Sequence, residues 1–392
     1  MRKHKYLIIG GGMTADAAVR GIRERDANGG ITVISADTDP PYDRPPLSKK
    51  LWTGKAYDTI WRKTAEKGAE VILDTRIVSG DANQRAVTDD NGENHGYEKL
   101  LIATGGTPRR LPFSAEDVIY FRTAGDYRKL RAIADRKAEV IVIGGGFIGS
   151  EIACALAMNG CKATLIFPDA GIGSNIYPPA LSKFLNEYFA EKGITVMPRE
   201  KVVASKKEGE KYTVTTESGK KVTADAVVAG IGIVPEVGLA RSLNLAVDNG
   251  IVVDAQLRAK SPDIYAAGDV ANFYSSALDT RRRVEHEDNA NTMGAMAGRN
   301  MAGAGEKYEY LPYFYSDLFD LGYEAVGEFG GSLDIVEDWK EPFRKGVVYY
   351  LQSGRVRGVL LWNVWDKVPA ARELISSKGV LSAAALKGRI GD

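Results

Sequence analysis

Short apolar, β-branched runs recur along the chain, each closed by glycine or other turn residues, and the pattern is used twice. Lys5-Tyr6-Leu7-Ile8-Ile9 leads into Gly10-Gly11-Gly12-Met13-Thr14-Ala15, and Glu139-Val140-Ile141-Val142-Ile143 into Gly144-Gly145-Gly146-Phe147-Ile148-Gly149. An alanine-rich helical pattern follows each. A second strand comes next, Ile31-Thr32-Val33-Ile34 in the first half and Lys162-Ala163-Thr164-Leu165-Ile166-Phe167 in the second. Ala69-Glu70-Val71-Ile72-Leu73 then opens an alternating stretch that turns at Asp89-Asp90-Asn91-Gly92 and ends in the strand at residues 100–106. Its counterpart opens at Ile194-Thr195-Val196-Met197, turns at Glu217-Ser218-Gly219 and ends at residues 226–232. Strand–helix–strand, meander and closing strand, repeated, predict two similar α/β domains with parallel strands, the second inserted into the first.

The chain returns to the first domain near Ser261-Pro262-Asp263-Ile264, and residues 290–301, rich in alanine and methionine and free of proline, read as a helix closing it. Beyond Gly303 the texture changes. Strands rich in aromatic and β-branched residues (324–327, 347–351, 359–362) precede a helical segment at 370–376, which reads as a separate α+β domain. The expected division is 1–121 with 241–302, then 122–240, then 303–392. A length of 392 residues agrees with two or three domains at about 150 residues each.

Charge narrows the partners. Lysine plus arginine number 52 against 51 acids, a net charge of +1, so neither nucleic acid nor a charged membrane surface is indicated. No apolar run approaches the roughly 20 residues that span a bilayer. The basic start, Met1-Arg2-Lys3-His4-Lys5, runs into a short strand rather than a long apolar stretch, so a cytoplasmic location is expected. The two cysteines, Cys154 and Cys161, have the spacing of neither a redox pair nor a metal cluster and read as small buried hydrophobes. No metal is expected.

The glycine runs carry the chemistry. In G-x-G-x-x-G/A the first glycine (Gly10, Gly144) makes a tight turn, and the second (Gly12, Gly146) lets backbone approach a pyrophosphate. The third position (Ala15, Gly149) must be small for helix–strand packing. The helix N-terminus then offers N–H groups and a positive dipole end to phosphate. Two such motifs, each after a strand, point to two dinucleotides and to a flavin–nicotinamide oxidoreductase. Only the first half carries Asp39-Pro40-Pro41-Tyr42-Asp43-Arg44-Pro45-Pro46-Leu47-Ser48-Lys49, whose prolines stiffen a loop bearing Arg44 and Lys49.

With that loop, Ala103-Thr104-Gly105-Gly106-Thr107-Pro108-Arg109, Ala267-Gly268-Asp269, Arg281-Arg282-Arg283-Val284-Glu285-His286, Tyr313-Phe314-Tyr315-Ser316-Asp317-Leu318 and Gly358-Val359-Leu360-Leu361-Trp362-Asn363, the chain resembles the apoptosis-inducing-factor branch of the FAD-dependent pyridine-nucleotide oxidoreductases, related to bacterial ferredoxin reductases. The resemblance runs nearly end to end. It implies an α/β fold of two Rossmann-like, glutathione-reductase-type nucleotide-binding domains plus a C-terminal α+β domain. It also implies FAD and NADH as cofactors, with hydride passing from NADH to flavin N5 and electrons then to an external acceptor.

By the resemblance Gly10, Gly12, Ala15, Arg44, Lys49, Thr104, Gly105, Arg122, Asp269, Glu285 and His286 contact FAD, and Tyr315 stands where the family often has a tryptophan beside the flavin. Ala36 occupies the usual position of a ribose-binding acid, so Asp37, one residue on, is expected to replace it. On residues alone Asp269 is a turn aspartate and His286 a solvated surface histidine. For NADH the set is Gly144, Gly146, Phe147, Ile148, Gly149, Asp169, Gly232 and Glu324. Asp169 is expected to accept the ribose 2′-OH and repel a 2′-phosphate, with no cation in residues 170–175 to reverse that preference. Glu151 is otherwise a helix N-terminal acid; the resemblance pairs it with Lys49 and makes Phe147 an aromatic gate over the flavin. Lys49, Glu151, Phe147 and His286 form the expected catalytic set. Candidate acceptors are a small iron–sulfur protein, as in a ferredoxin or rubredoxin reductase, and a quinone. A redox-responsive binding protein with a long-lived reduced complex, and a homodimer, complete the alternatives.

Overall fold

The computed structural model describes residues 1–113 and 117–391. The chain forms two compact units, one of Met1–Arg44, Tyr57–Thr107 and Val234–Tyr313, the other of Pro45–Ala56, Pro108–Ile233 and Phe314–Asp392. Residues 122–240 and 303–392, expected as separate domains, thus fall almost wholly in one unit, together with the short segment Pro45–Ala56.

The first unit is built on the strand Arg2–Ile9, flanked in parallel by Ile31–Ile34 and Asn94–Ile102. Ala69–Ile72 and Ile264–Ala266 add to the two sides, also in parallel. Leu7, Ile8, Val33, Leu100, Leu101 and Ile102 are completely buried, which is why these strands read as continuous apolar runs rather than alternating ones. Ile9 is level with Ile34 and Ile102, and Ile102 with Ala266. One edge of the sheet therefore presents Gly10, Ser35, Ala103 and Ala267, and ligands of α/β sheets bind at that carboxyl edge. At the other end, Ile77–Asp81 and Ala86–Asp89 continue the sheet as an antiparallel meander.

The helix Met13–Arg23 packs against the helix Glu287–Met301 through residues too small to hold the backbones apart. A Cβ on Gly294 would lie 2.5 Å from the Thr14 carbonyl oxygen, and one on Gly298 2.1 Å from that of Ala18. The second helix begins three residues before its alanine-rich pattern. The His286 ring caps it by accepting the Asp288 N–H at 3.5 Å, and Glu287 and Asp288 place negative charge in the first turn.

The second unit contains a parallel sheet in the order Thr195–Met197, Lys162–Ile166, Glu139–Ile143, Ala226–Ala229, Ile119–Tyr120. A three-stranded antiparallel sheet (Val202–Glu208, Lys211–Thr216, Lys221–Ala224) forms its meander. The C-terminal part is a five-stranded antiparallel sheet ordered Tyr313–Leu318, Leu321–Gly327, Arg355–Trp362, Lys345–Gln352, Asp334–Glu341. Its core is aromatic: Trp362 stacks on Tyr323 at 5.6 Å, and Tyr177 meets both edge-on at 5.4 Å. Val368–Ser376 is the final long helix, with proline in its first turn where no N–H is missed. No helix among the described residues is long and apolar enough to cross a membrane.

Candidate functional site

Each half carries a cradle at its glycine run. Gly10 has φ +116°, and a Cβ there would lie 2.2 Å from the Ala103 carbonyl oxygen; Gly144 has φ +114° and the same clash, at 2.4 Å, with Gly230. Only glycine serves at these turns. A Cβ on Gly12 or Gly146 would meet nothing within 4 Å. That open space lies at the start of the helices Met13–Arg23 and Phe147–Met158, neither of which has a side-chain cap. Uncapped N–H groups facing open space fit a pyrophosphate. Gly149 is held to glycine by the Gly144 carbonyl, 1.8 Å from a Cβ, whereas Ala15 is fully buried and accommodated. Both cradles therefore fit dinucleotides.

Around the first cradle, Asp37 accepts the Tyr42 hydroxyl at 3.0 Å and the Asp39 N–H at 3.2 Å, and the Arg44 guanidinium lies 5.3 Å from the centre of the Tyr42 ring. Thr104 donates to the Glu236 carbonyl at 2.7 Å, and Gly105 accepts the Glu236 N–H at 2.9 Å. Arg283 gathers two more of the expected residues, donating to the Asp269 carbonyl at 3.0 Å and pairing with Glu285 at 2.5 Å. His286 lies 6.3 Å from the Tyr313 ring. Arg122, Lys49 and Tyr315 belong to the second unit, where the Arg122 N–H is fixed by Asp126 at 3.1 Å.

Around the second cradle, Phe147 is 41% exposed and is braced edge-on by Phe314 at 5.4 Å. Ile148 is exposed beside it. Gly232, at φ +88°, accepts the Arg109 N–H at 2.9 Å. Asp169 is exposed, and its carbonyl accepts the N–H of Arg199 at 2.9 Å. Arg199 itself is exposed, at φ +57°. Glu324 is half-buried on Leu321–Gly327, and its Oε2 has no hydrogen-bond partner among the described residues. Burial, and then the charge of Asp366, raise its carboxyl above the usual carboxylate range.

A buried polar cluster is centred on Glu151, an acid in the first half of the helix Phe147–Met158. Lys49 Nζ lies 2.7 Å from Glu151 Oε1, with the two side chains 10% and 3% exposed. Ser48 donates to Oε2 and Ser316 to Oε1, each at 2.6 Å. The Lys49 ammonium also lies 5.2 Å from the centre of the Tyr315 ring. Asp317, next along the same strand, is held above its ordinary range by burial, opposed by the Lys49 charge. Burial, and then the Glu151 charge, push the Cys154 thiol well up.

Ser48, Ser316 and Arg199 carry no sequence signal of their own. Both serines are neighbours of residues singled out by resemblance, but their shared acceptor is visible only in the fold. Arg199 lies outside the window 170–175 and reaches Asp169 because adjacent parallel strands bring their following loops together.

Residues 4–294 match the pyridine nucleotide-disulphide oxidoreductase family, and residues 334–377 match the C-terminal domain of mitochondrion-associated apoptosis-inducing factor. The chain is 36% identical to apoptosis-inducing factor 1 of Dictyostelium discoideum, covering 96% of this chain and 79% of that one. It is 34% identical to the ferredoxin–NAD(+) reductase component of the anthranilate 1,2-dioxygenase system of Burkholderia cepacia, covering 96% and 95%. The solved structure of a covalent putidaredoxin reductase–putidaredoxin complex superposes with a TM-score of 0.90 at 27% identity, covering 98% of this chain and 95% of that one. The chain belongs to the pyridine nucleotide-disulphide oxidoreductase family, in its apoptosis-inducing-factor-like branch. It is an FAD-dependent NADH oxidoreductase that passes electrons to an acceptor.

Proposed function

We propose that the acceptor is a small iron–sulfur protein and that the Lys49–Glu151 cluster is the catalytic centre. The observation that carries this is the saturation of one buried carboxylate by Lys49, Ser48 and Ser316. Bound FAD would supply the conversion of a hydride into electrons that leave singly. Gly10, Gly12 and Ala15 would hold its pyrophosphate, with Asp37 at the ribose and Arg44, Thr104, Gly105, Arg122, Asp269, Glu285 and His286 as further contacts. Gly144, Gly146, Ile148 and Gly149 would cradle NADH, with Asp169 at its ribose and Gly232 and Glu324 as further contacts.

Lys49 would offer a fixed positive charge to the reduced flavin, worth more where water is excluded. Glu151 keeps that ammonium oriented, and the two serines hold the carboxylate in one rotamer. Phe147 would be displaced by the nicotinamide, with Phe314 limiting its swing, and Tyr315 would lie beside the flavin. The iron–sulfur acceptor is supported by the ferredoxin reductase relative and the putidaredoxin-bound neighbour. A cytoplasmic location is supported by two free, buried thiols, and the three-domain division stated for the sequence is kept as part of this reading. A second reading, a redox-responsive dimer with slow turnover, is favoured by the match at residues 334–377.

Stopped-flow reduction by NADH, then reoxidation with and without added ferredoxin, tests the proposal. Cytochrome c reduction should rise at least about tenfold on adding ferredoxin, and Lys49→Met should slow flavin reduction by at least about tenfold, because the fixed charge that would favour the reduced flavin is gone. No stimulation by any iron–sulfur protein, with slow reoxidation in air and an NADH-dependent change in elution volume, would select the second reading.

A further inference from the structure

Two of the chain's three histidines are buried together in the first unit, at the end of the sheet away from Gly10. They lie in an unbroken polar chain. Asp89 Oδ2 is 3.1 Å from His95 Nε2, and His95 Nδ1 is 3.3 Å from His4 Nε2. His4 Nδ1 is 2.9 Å from Thr32 Oγ1, and Thr32 donates to Glu70 Oε2 at 3.2 Å. These four links need four hydrogens, whereas two neutral imidazoles and one hydroxyl bring three. The chain is one positive charge short of closing.

The two ends differ. Glu70 is paired with Arg2. At the other end neither Asp89 nor the exposed Glu93 forms a contact ion pair with lysine or arginine among the described residues, although the Arg2 charge acts on Glu93 from further off, and His95 is the basic group against Asp89. Oxygens of Asp89 and Glu93 and a ring nitrogen of His95 all lie within 4.8 Å of one another. Asp89 is preset for a ligand: its Oδ1 accepts the N–H groups of Asn91 and Glu93, both at 2.9 Å, leaving Oδ2 turned to His95.

We propose that Asp89, Glu93 and His95 bind a zinc-class divalent metal ion at the tip of the hairpin formed by Ala86–Asp89 and the start of Asn94–Ile102. A cation on His95 Nε2 replaces the hydrogen that the first link lacks. Three links then remain for three hydrogens: His95 Nδ1–H to His4, His4 Nδ1–H to Thr32, and Thr32 to Glu70. A ligating histidine whose other N–H is held by a second group is the usual arrangement around such ions. The 3.1 Å between Asp89 Oδ2 and His95 Nε2 approaches the ligand–ligand edge of about 3.3 Å for a tetrahedron of ~2.0–2.1 Å bonds. One imidazole with two carboxylates selects zinc over magnesium or calcium, which take oxygen donors. His95 is level with Arg2 and lies eight residues before Ala103 at the nucleotide edge, so the ion would sit about 26 Å from that edge at ~3.3 Å per residue. It would clamp the hairpin and take no part in electron transfer.

Holoprotein freed of metal with a chelator and titrated with zinc chloride in a calorimeter should bind one ion per chain, with magnesium chloride as the control. Glu93 is exposed, so E93Q leaves the core intact and should weaken binding at least about tenfold; H95N should abolish it. Zinc should shift the ring NMR signals of His95 and His4 and leave those of His286 in place. Absence of saturable zinc binding would overturn the site. Binding unchanged by E93Q, or a shift confined to His286, would overturn it equally.

Discussion

Asp169 and Arg199 are a carboxylate and a guanidinium on neighbouring loops that form no ion pair with each other or with any other described side chain, although a 2.9 Å backbone bond joins their residues. In the proposed reading Asp169 would favour NADH by accepting the ribose hydroxyls and repelling a phosphate. Arg199 gives the same edge a cation that a search of residues 170–175 misses. Asp169→Asn should therefore raise kcat/KM for NADPH about tenfold or more while Arg199 is present, and far less in Asp169→Asn/Arg199→Ala. Equal gains in the two backgrounds would show that Arg199 does not reach the 2′-phosphate. The glycines were legible in the sequence because a turn and a close approach each demand that residue type at a fixed spacing. The resemblance supplied Lys49 as a partner of Glu151, and the two lie 2.7 Å apart; its serine partners were not legible, since Ser48 and Ser316 are 103 and 165 positions away, and a lone serine has many roles. Asp37 was legible as an acid, but its bond to Tyr42 was not.

Among the elements, the parallel strands and the helices after the glycine runs stood out because burial along their whole length makes them uniformly apolar. The strands Tyr313–Leu318 and Asp334–Glu341 did not, because most of their residues are only half-buried and neither period dominates. The segment 45–56, legible as a proline-stiffened loop, folds with the second unit because Leu51 and Trp52 are buried there and the Trp52 ring meets Tyr127 edge-on at 5.5 Å. The pairing of Met13–Arg23 with Glu287–Met301 depends on glycine at the crossing. Gly298→Ala puts a methyl 2.1 Å from the Ala18 carbonyl oxygen, and overpacking of this kind costs about 1–3 kcal/mol. Its urea midpoint should fall accordingly and FAD should be released more readily on dilution. An unchanged midpoint would mean that the two helices separate without strain.

For the whole molecule, the family's name includes a disulphide that this chain lacks. Cys154 and Cys161 are both free and buried, burial raises both thiols, and Cys161 Sγ donates to the Ala134 carbonyl at 3.6 Å. A relay needs an accessible thiolate and a partner in reach. Cys154→Ala/Cys161→Ala should keep NADH-dependent dye reduction within about threefold; a loss beyond about tenfold with FAD retained would reveal a thiol step. Neither the pairing of Met13–Arg23 with Glu287–Met301 nor the Glu151 cluster is local in sequence, and this sets the order in which a growing chain can finish folding. The side of Met13–Arg23 that bears Thr14 and Ala18 lacks its partner helix until Gly294 and Gly298 have left the ribosome, and Glu151 lacks its last partner until Ser316 has. At ~5–20 residues per second, the nascent protein carries both halves unfinished for many seconds. A chain terminated shortly before residue 294 would thus lose both units together and leave a sticky, cofactor-free product for chaperones and proteases to clear.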